Sequence, residues 1–172
     1  MKWLRCLDLI TEDQHGSWVS LKKVGIFAAK LGIEGEAEIS AMLKLFHELG
    51  VIIHFDSTDA LQQVVVISPQ WLIDQISLVF RDKELHSHND SVMYEVGLEE
   101  DYNMLKSQAV ASFDLLHYFW GGDKAQFFID LMRHTLLLSE WKYGNRELEK
   151  SFLVPCLLED NPGDTPIPKE NV

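Results

Sequence analysis

Several things are scarce in this chain of 172 residues. It has two cysteines, Cys6 and Cys156, far apart and near opposite ends, so no disulfide framework or cysteine-rich zinc site can be built from them. Such cysteine usage fits a reducing, cytoplasmic setting. No apolar run reaches the roughly 18 residues that a membrane-spanning helix needs. Residues 1–13 lack the basic-then-apolar pattern and small-residue cleavage site of a secretion signal. Basic residues are also few, with 15 Lys and Arg against 27 Asp and Glu, for a net charge of −12. That balance repels phosphate backbones and anionic membranes at long range.

Bulky core formers are plentiful. Five Trp, nine Phe and four Tyr sit in a chain that is 47% apolar and 24% charged, the balance of a folded globular protein.

The spacing of Trp3, Leu4, Leu7 and Ile10 predicts a helix over residues 1–10. A polar loop should follow from Thr11 to Trp18. Ser20 has the chemistry of an N-cap for a helix from Leu21 to Leu31, ended by Gly32. A second helix, Glu36 to Leu49, carries Ile39, Met42, Leu43, Phe46 and Leu49 on one face. The period then changes. Val51–Phe55 and Gln63–Ile67 are short, apolar and β-branched, and Asp56–Asp59 between them is a turn cluster, so a hairpin is expected. Two helices and a hairpin are the order of a winged-helix module. Ser68-Pro69 then opens a helix with Trp71, Leu72, Ile76, Val79 and Phe80 facing the core.

Asp82 to Asp101 holds seven acids against Lys83 and reads as an acidic connector containing part of a helix. Beyond it the outline repeats. A helix over Tyr102–Ser107, a brief strand over Gln108–Ser112 and a helix over Phe113–Trp120 are expected. Asp123 and Gln126 have the spacing of a capping box for a helix running to about His134, with Phe127, Phe128, Leu131 and Met132 buried. Leu136–Trp141 and Ser151–Leu157 make the arms of a second hairpin around a charged loop. Glu159–Val172, with three prolines, reads as a linker. The expected class is α+β, mostly helical, with two winged-helix-like units: residues 1–82 and 102–158, a connector at 83–101 and a tail at 159–172. The tail and the abrupt first helix lead us to expect that the natural protein extends beyond both ends.

The block FHELGVIIHF (Phe46–Phe55), followed by VVVISPQWLIDQI (Val64–Ile76), resembles the first half of the COR domain. This region lies C-terminal of the Ras-like Roc domain in Roco proteins, which include leucine-rich repeat kinases. LMRHTLLL (Leu131–Leu138) and FLVPCLL (Phe152–Leu158) are similar to later pieces of the same subdomain, in the right order. Ser68 stands where the family often has Asp or Asn, and Thr135 replaces an expected aromatic. The second COR subdomain, which carries dimerisation in the family, has no counterpart here, so a monomer is expected.

The resemblance implies a non-catalytic module that packs on the Roc GTPase domain of the same polypeptide, near its switch elements, and relays its nucleotide state. The second COR subdomain would be a further partner. Lys22, Lys23 and Lys30 on one helix, and Pro69, Gln70 and Trp71 at the start of another, are the candidate interaction residues.

The residues themselves offer little chemistry. Gly121-Gly122-Asp123-Lys124 lacks the spacing and the hydroxyl residue of a phosphate-binding loop, and reads as a turn. His86-Ser87-His88 has no evident third ligand, and no second His follows His47-Glu48 at zinc-protease spacing. Glu99-Glu100 reads as a solvated face. No catalytic residue, metal or cofactor is expected. The alternative function, a winged-helix nucleic-acid binder, would put the Glu36–Leu49 helix in the major groove. That helix bears Glu36, Glu38 and Glu48 against Lys44, the wrong sign for phosphate.

Overall fold

The computed structural model describes residues 1–12, 16–80, 88–141 and 150–158. Nine helices and six short strands are present among the described residues. The chain begins with α1 (Lys2–Glu12), β1 (Trp18–Ser20), α2 (Leu21–Lys30) and α3 (Glu36–Glu48). It continues through β2 (Ile53–His54), α4 (Asp59–Gln62), β3 (Val64–Val66) and α5 (Pro69–Phe80). The second half holds α6 (His88–Glu95), α7 (Glu99–Gln108), β4 (Val110–Ser112), α8 (Phe113–Trp120) and α9 (Gly122–His134). β5 (Ser139–Trp141), β6 (Ser151–Leu153) and a 3-10 turn at Pro155–Leu157 complete it. The class is α+β and mostly helical, as expected.

Local chemistry explains most of the helix ends. The Ser20 hydroxyl accepts the Lys23 N–H and starts α2, and Ser112 does the same for α8 through Leu115 N–H. Gly32 and Gly50, both at positive φ, lie just beyond α2 and α3, where a Cβ would be strained.

Each expected hairpin is a three-stranded antiparallel sheet, ordered β1-β3-β2 and β4-β6-β5. The strand missed in the first sheet lies at the end of the stretch expected to be loop. Trp18, Val19 and Ser20 pair with Val66, Val65 and Val64. At the start of that stretch, Thr11 and Glu12 extend α1. The turn between β2 and β3 contains the single-turn helix α4, capped by the Thr58 hydroxyl. Within the second hairpin the strands are shorter than expected. Leu136 turns at φ +61 before β5 begins, and Pro155 ends β6 in the 3-10 turn.

Three further expectations change. Leu49 is exposed rather than part of the α3 core face, because the helix has ended and the chain turns at Gly50. The capping box at Asp123 and Gln126 does not form. Gly121 occupies the N-cap, Asp123 lies inside the first turn, and Gln126 instead donates to Asp130 Oδ1 at 2.7 Å. The acidic stretch is helical at α6 and again where Glu99, Glu100 and Asp101 open α7. Residues 81–87, the loop at 142–149 and the tail at 159–172 lie outside the described residues.

The first sheet has both faces covered. Val65 and Val19 enter a core with Cys6, Ile10, Val24, Ala28, Met42, Leu43 and Phe46 from α1, α2 and α3. Val64 and Val66 point the other way, into a larger core shared with Leu115, Phe127, Phe128, Leu131 and Phe152 of the second half. Alternation along β3 therefore serves two cores at once, which is why all three of its valines are buried.

Candidate interaction site

The candidate residues fall into two separate groups, set apart by the first sheet. α2 leaves β1 at Ser20, which is paired with Val64, while α5 starts beyond the opposite end of β3, past Val66. Lys22, Lys23 and Lys30 therefore do not adjoin Pro69, Gln70 and Trp71.

The basic group is a helix face. Lys22, Ile26 and Lys30 follow at intervals of one turn, with Lys23 and Phe27 beside them. All three lysines are exposed, and α2 contains no acidic residue. The Lys23 and Lys30 ammonium groups lie 5.8 and 5.9 Å from the centroid of the Phe27 ring, within the reach of a cation–π contact.

In the second group, Pro69 and Gln70 are exposed at the N-terminal end of α5, and Gln70 Nε2 donates to Asp74 Oδ1 at 2.7 Å. Trp71, one residue further, turns inward. Its ring stacks on Trp18 of β1 (centroids 6.3 Å apart, planes at 20°) and tilts against Phe128 of α9 at 5.4 Å. Phe128 in turn stacks on Trp120 of α8 at 5.2 Å. The Trp120 indole N–H donates to the Gln75 carbonyl at 2.9 Å, closing the path back to α5. An aromatic seam thus joins the two halves, and Trp71 stands at its centre.

Sequence reasoning puts Trp71 and Phe128 in the core but misses Trp18 and the contacts that link them. Trp18 falls at the end of the stretch expected to be loop, and Lys124 in a glycine-rich turn. In the structure Lys124 Nζ lies 5.5 Å from the Trp18 ring centroid, on the rim of the seam. A second bridge, from Thr58 Oγ1 to Asp130 Oδ2 at 2.7 Å, ties α4 to α9. No sequence signal marks either contact, since both depend on how the halves dock.

No group of three or more His, Cys, Asp or Glu side chains among the described residues is arranged to hold a metal ion. His86 and Ser87 lie outside those residues. No described helix is long and apolar enough to cross a membrane.

Comparison with known proteins gives this architecture a family. The sequence matches the family model described as "C-terminal of Roc, COR-A domain" over residues 1–158. The chain belongs to the COR-A family. Among curated proteins, this COR-A chain is 32% identical over 125 residues to the probable serine/threonine-protein kinase qkgA of Dictyostelium discoideum. That match covers 73% of the chain but only 7% of the kinase. Among solved structures, the chain is similar to Roco2 RocCORdC of Methanosarcina barkeri, bound to GDP, with a TM-score of 0.67 and 14% identity. The likeness covers 91% of the COR-A chain and 43% of the Roco2 chain, and at that identity it speaks to the fold.

Proposed function

We propose that this COR-A chain is a non-catalytic regulatory module that packs on a Roc-type GTPase domain of the same polypeptide and relays its nucleotide state. The observation that carries the reading is the match to the COR-A family along residues 1–158. The fold shared with Roco2 RocCORdC of Methanosarcina barkeri, bound to GDP, supports it.

Of the two candidate groups, the α5 end suits a relay. A contact on Pro69 and Gln70 would bear on Trp71, whose ring touches both Trp18 of the first half and Phe128 of the second. A G domain that contacts this end differently in its two nucleotide states would shift the seam. A ligand biases a conformational equilibrium only through such differential contact. The lysines of α2 follow the end of β1 opposite to Trp18.

The nucleic-acid reading is disfavoured by α3. Its exposed surface presents Glu36, Glu38 and Glu48, and phosphate contacts dominate such binding.

The test is calorimetric titration of the chain with the G domain that precedes it in its parent protein, loaded with GDP and then with a GTP analogue. The proposal expects binding that differs between the two states, with the difference reduced in Gln70→Glu. Binding of equal strength in both states would overturn the relay, and no binding would overturn the packing as well.

A further inference from the structure

Two surfaces outside the seam carry opposite charge around exposed apolar side chains. The first is the α2 face. Ile26 is 50% exposed there, between Lys22 and Lys30, with Lys23 and the half-buried Phe27 alongside. The second lies where α6 runs into α7. Val92 and Val96, 40% and 45% exposed, stand one turn apart, and the Val96 N–H donates to the Val92 carbonyl at 3.1 Å. Glu95, between the two valines in the chain, and Glu99, three residues past Val96 at the start of α7, are both exposed.

Each surface has the plan of a small protein interface, an apolar centre inside a charged rim. An acid-free basic helix is also unexpected in a chain of net charge −12. A membrane is a poor occupant for α2. Three lysines contribute only about 1 kcal/mol each at an anionic surface, and the rest of the molecule is repelled by it. A polypeptide with carboxylates around an apolar patch fits better, and the chain itself presents one.

We propose that the α2 face of one copy docks on the α6–α7 surface of a second copy, with Lys22, Lys23 and Lys30 facing Glu95 and Glu99, and Ile26 set against Val92 and Val96. The contact is heterologous, since the two surfaces differ, and it leaves one of each free for a further copy. A ten-residue helix face is small beside the roughly 800 Å² per partner of a stable complex. The association is therefore weak and strongly salt-dependent. It departs from the monomer expected of the chain.

Sedimentation velocity over a wide concentration range tests it on the whole chain. The mean mass should rise with concentration at low salt and return to the monomer value at about 1 M salt, where the screening length is roughly 3 Å. Two charge-reversed variants supply the decisive comparison, K22E/K23E/K30E and E95K/E99K. Each alone should be monomeric, having like charges on both surfaces. An equimolar mixture should associate again, because each variant complements the other. All five positions are exposed, and unchanged melting temperatures would confirm that both variants fold. A wild-type chain that stays monomeric at low salt would overturn the proposal. So would association that survives in either variant alone, or a mixture that stays monomeric.

Discussion

The indole of Trp18 lies over that of Trp71, centroids 6.3 Å apart and planes inclined by 20°. The two residues belong to a strand and a helix that the sequence separates by α2, α3, α4 and the other two strands of the first sheet. Trp18 stands at the end of β1 paired with Val66, the last residue of β3, so the sheet delivers it to the point where α5 departs. Both pack against the larger core, Trp18 from the sheet and Trp71 from α5, so their stacking closes the joint between the halves. Phe128 and Trp120 extend the same surface into α8 and α9.

Replacing Trp71 with Ala removes the centre of this stack. Large-to-small changes at core aromatics cost about 3–5 kcal/mol, and Trp71 is half-buried, so a loss of roughly 2–4 kcal/mol is expected. For a domain of this size each kcal/mol lowers the midpoint by about 2–4 °C. A thermal melt should therefore show a clear drop. An unchanged melting temperature would mean that the halves are held together without the seam.

How much of this was written in the sequence depends on the distance over which each feature is decided. Helices α2, α8 and α9 were legible because their apolar spacing is local, as is the Ser20 cap of α2. The strand Trp18–Ser20 was not, since three residues cannot display a period and its pairing partner, Val64–Val66, lies beyond three helices. Single-turn α4, which follows on from the turn cluster at Asp59, is likewise too short to display a period. The capping box failed because Gly121, at φ +69, lets the helix begin one residue before Asp123. The helical placement of the α2 lysines and of the α5 start was legible too. Their separation was not, because it follows from strand register. Trp71 was readable as core or interface filler, but its partners Trp18 and Phe128 are set by docking alone.

Thr58 holds two positions in one geometry. Its hydroxyl accepts the Leu61 N–H at 3.3 Å, capping α4, and donates to Asp130 Oδ2 at 2.7 Å. Thr58→Val keeps the shape and removes both bonds. The expected loss is about 1–2 kcal/mol, from the cap and from a hydrogen bond to a charged group. Asp130→Asn leaves the cap alone and weakens the second bond, together with the one that Gln126 Nε2 donates to Oδ1 at 2.7 Å. Urea unfolding of both single variants and the double variant should give a non-additive cycle, since the residues are in direct contact. Additive losses would show that the bridge contributes nothing of its own.

His54 gives the fold a dependence on pH. Burial holds its imidazole below the ordinary value of 6.5, opposed by the Val64 carbonyl and by Asp56 and assisted by His47. The native state thus binds this proton less readily than the unfolded chain, and stability rises with pH where the unfolded state binds more protons. The contribution is fully present above about pH 6.5. It is lost as pH falls from there through the lowered native value, and levels off below it. His54→Asn retains a donor for the Val64 carbonyl, which His54 Nδ1 meets at 3.3 Å. Urea midpoints between pH 7.5 and 5 should fall less steeply in the variant. Equal slopes would assign the acid sensitivity to other groups.

Leu136 is held in the left-handed region at φ +61, one residue past the cap of α9, while its side chain is 82% exposed. Its backbone N–H donates to the Arg133 carbonyl at 3.2 Å, so the turn satisfies an end of the helix. A side chain bearing a Cβ is strained in that conformation by about 1–2 kcal/mol, and glycine is not. Leu136 offers little packing in return, because most of its surface meets water. Leu136→Gly should therefore raise stability by about 0.5–1 kcal/mol once glycine's extra unfolded-state freedom is set against the relief. The same change at Ile129, which is buried in α9, should lower it by several-fold more. A Leu136→Gly chain less stable than the wild type would show that the leucine packs on something that its exposure does not reveal.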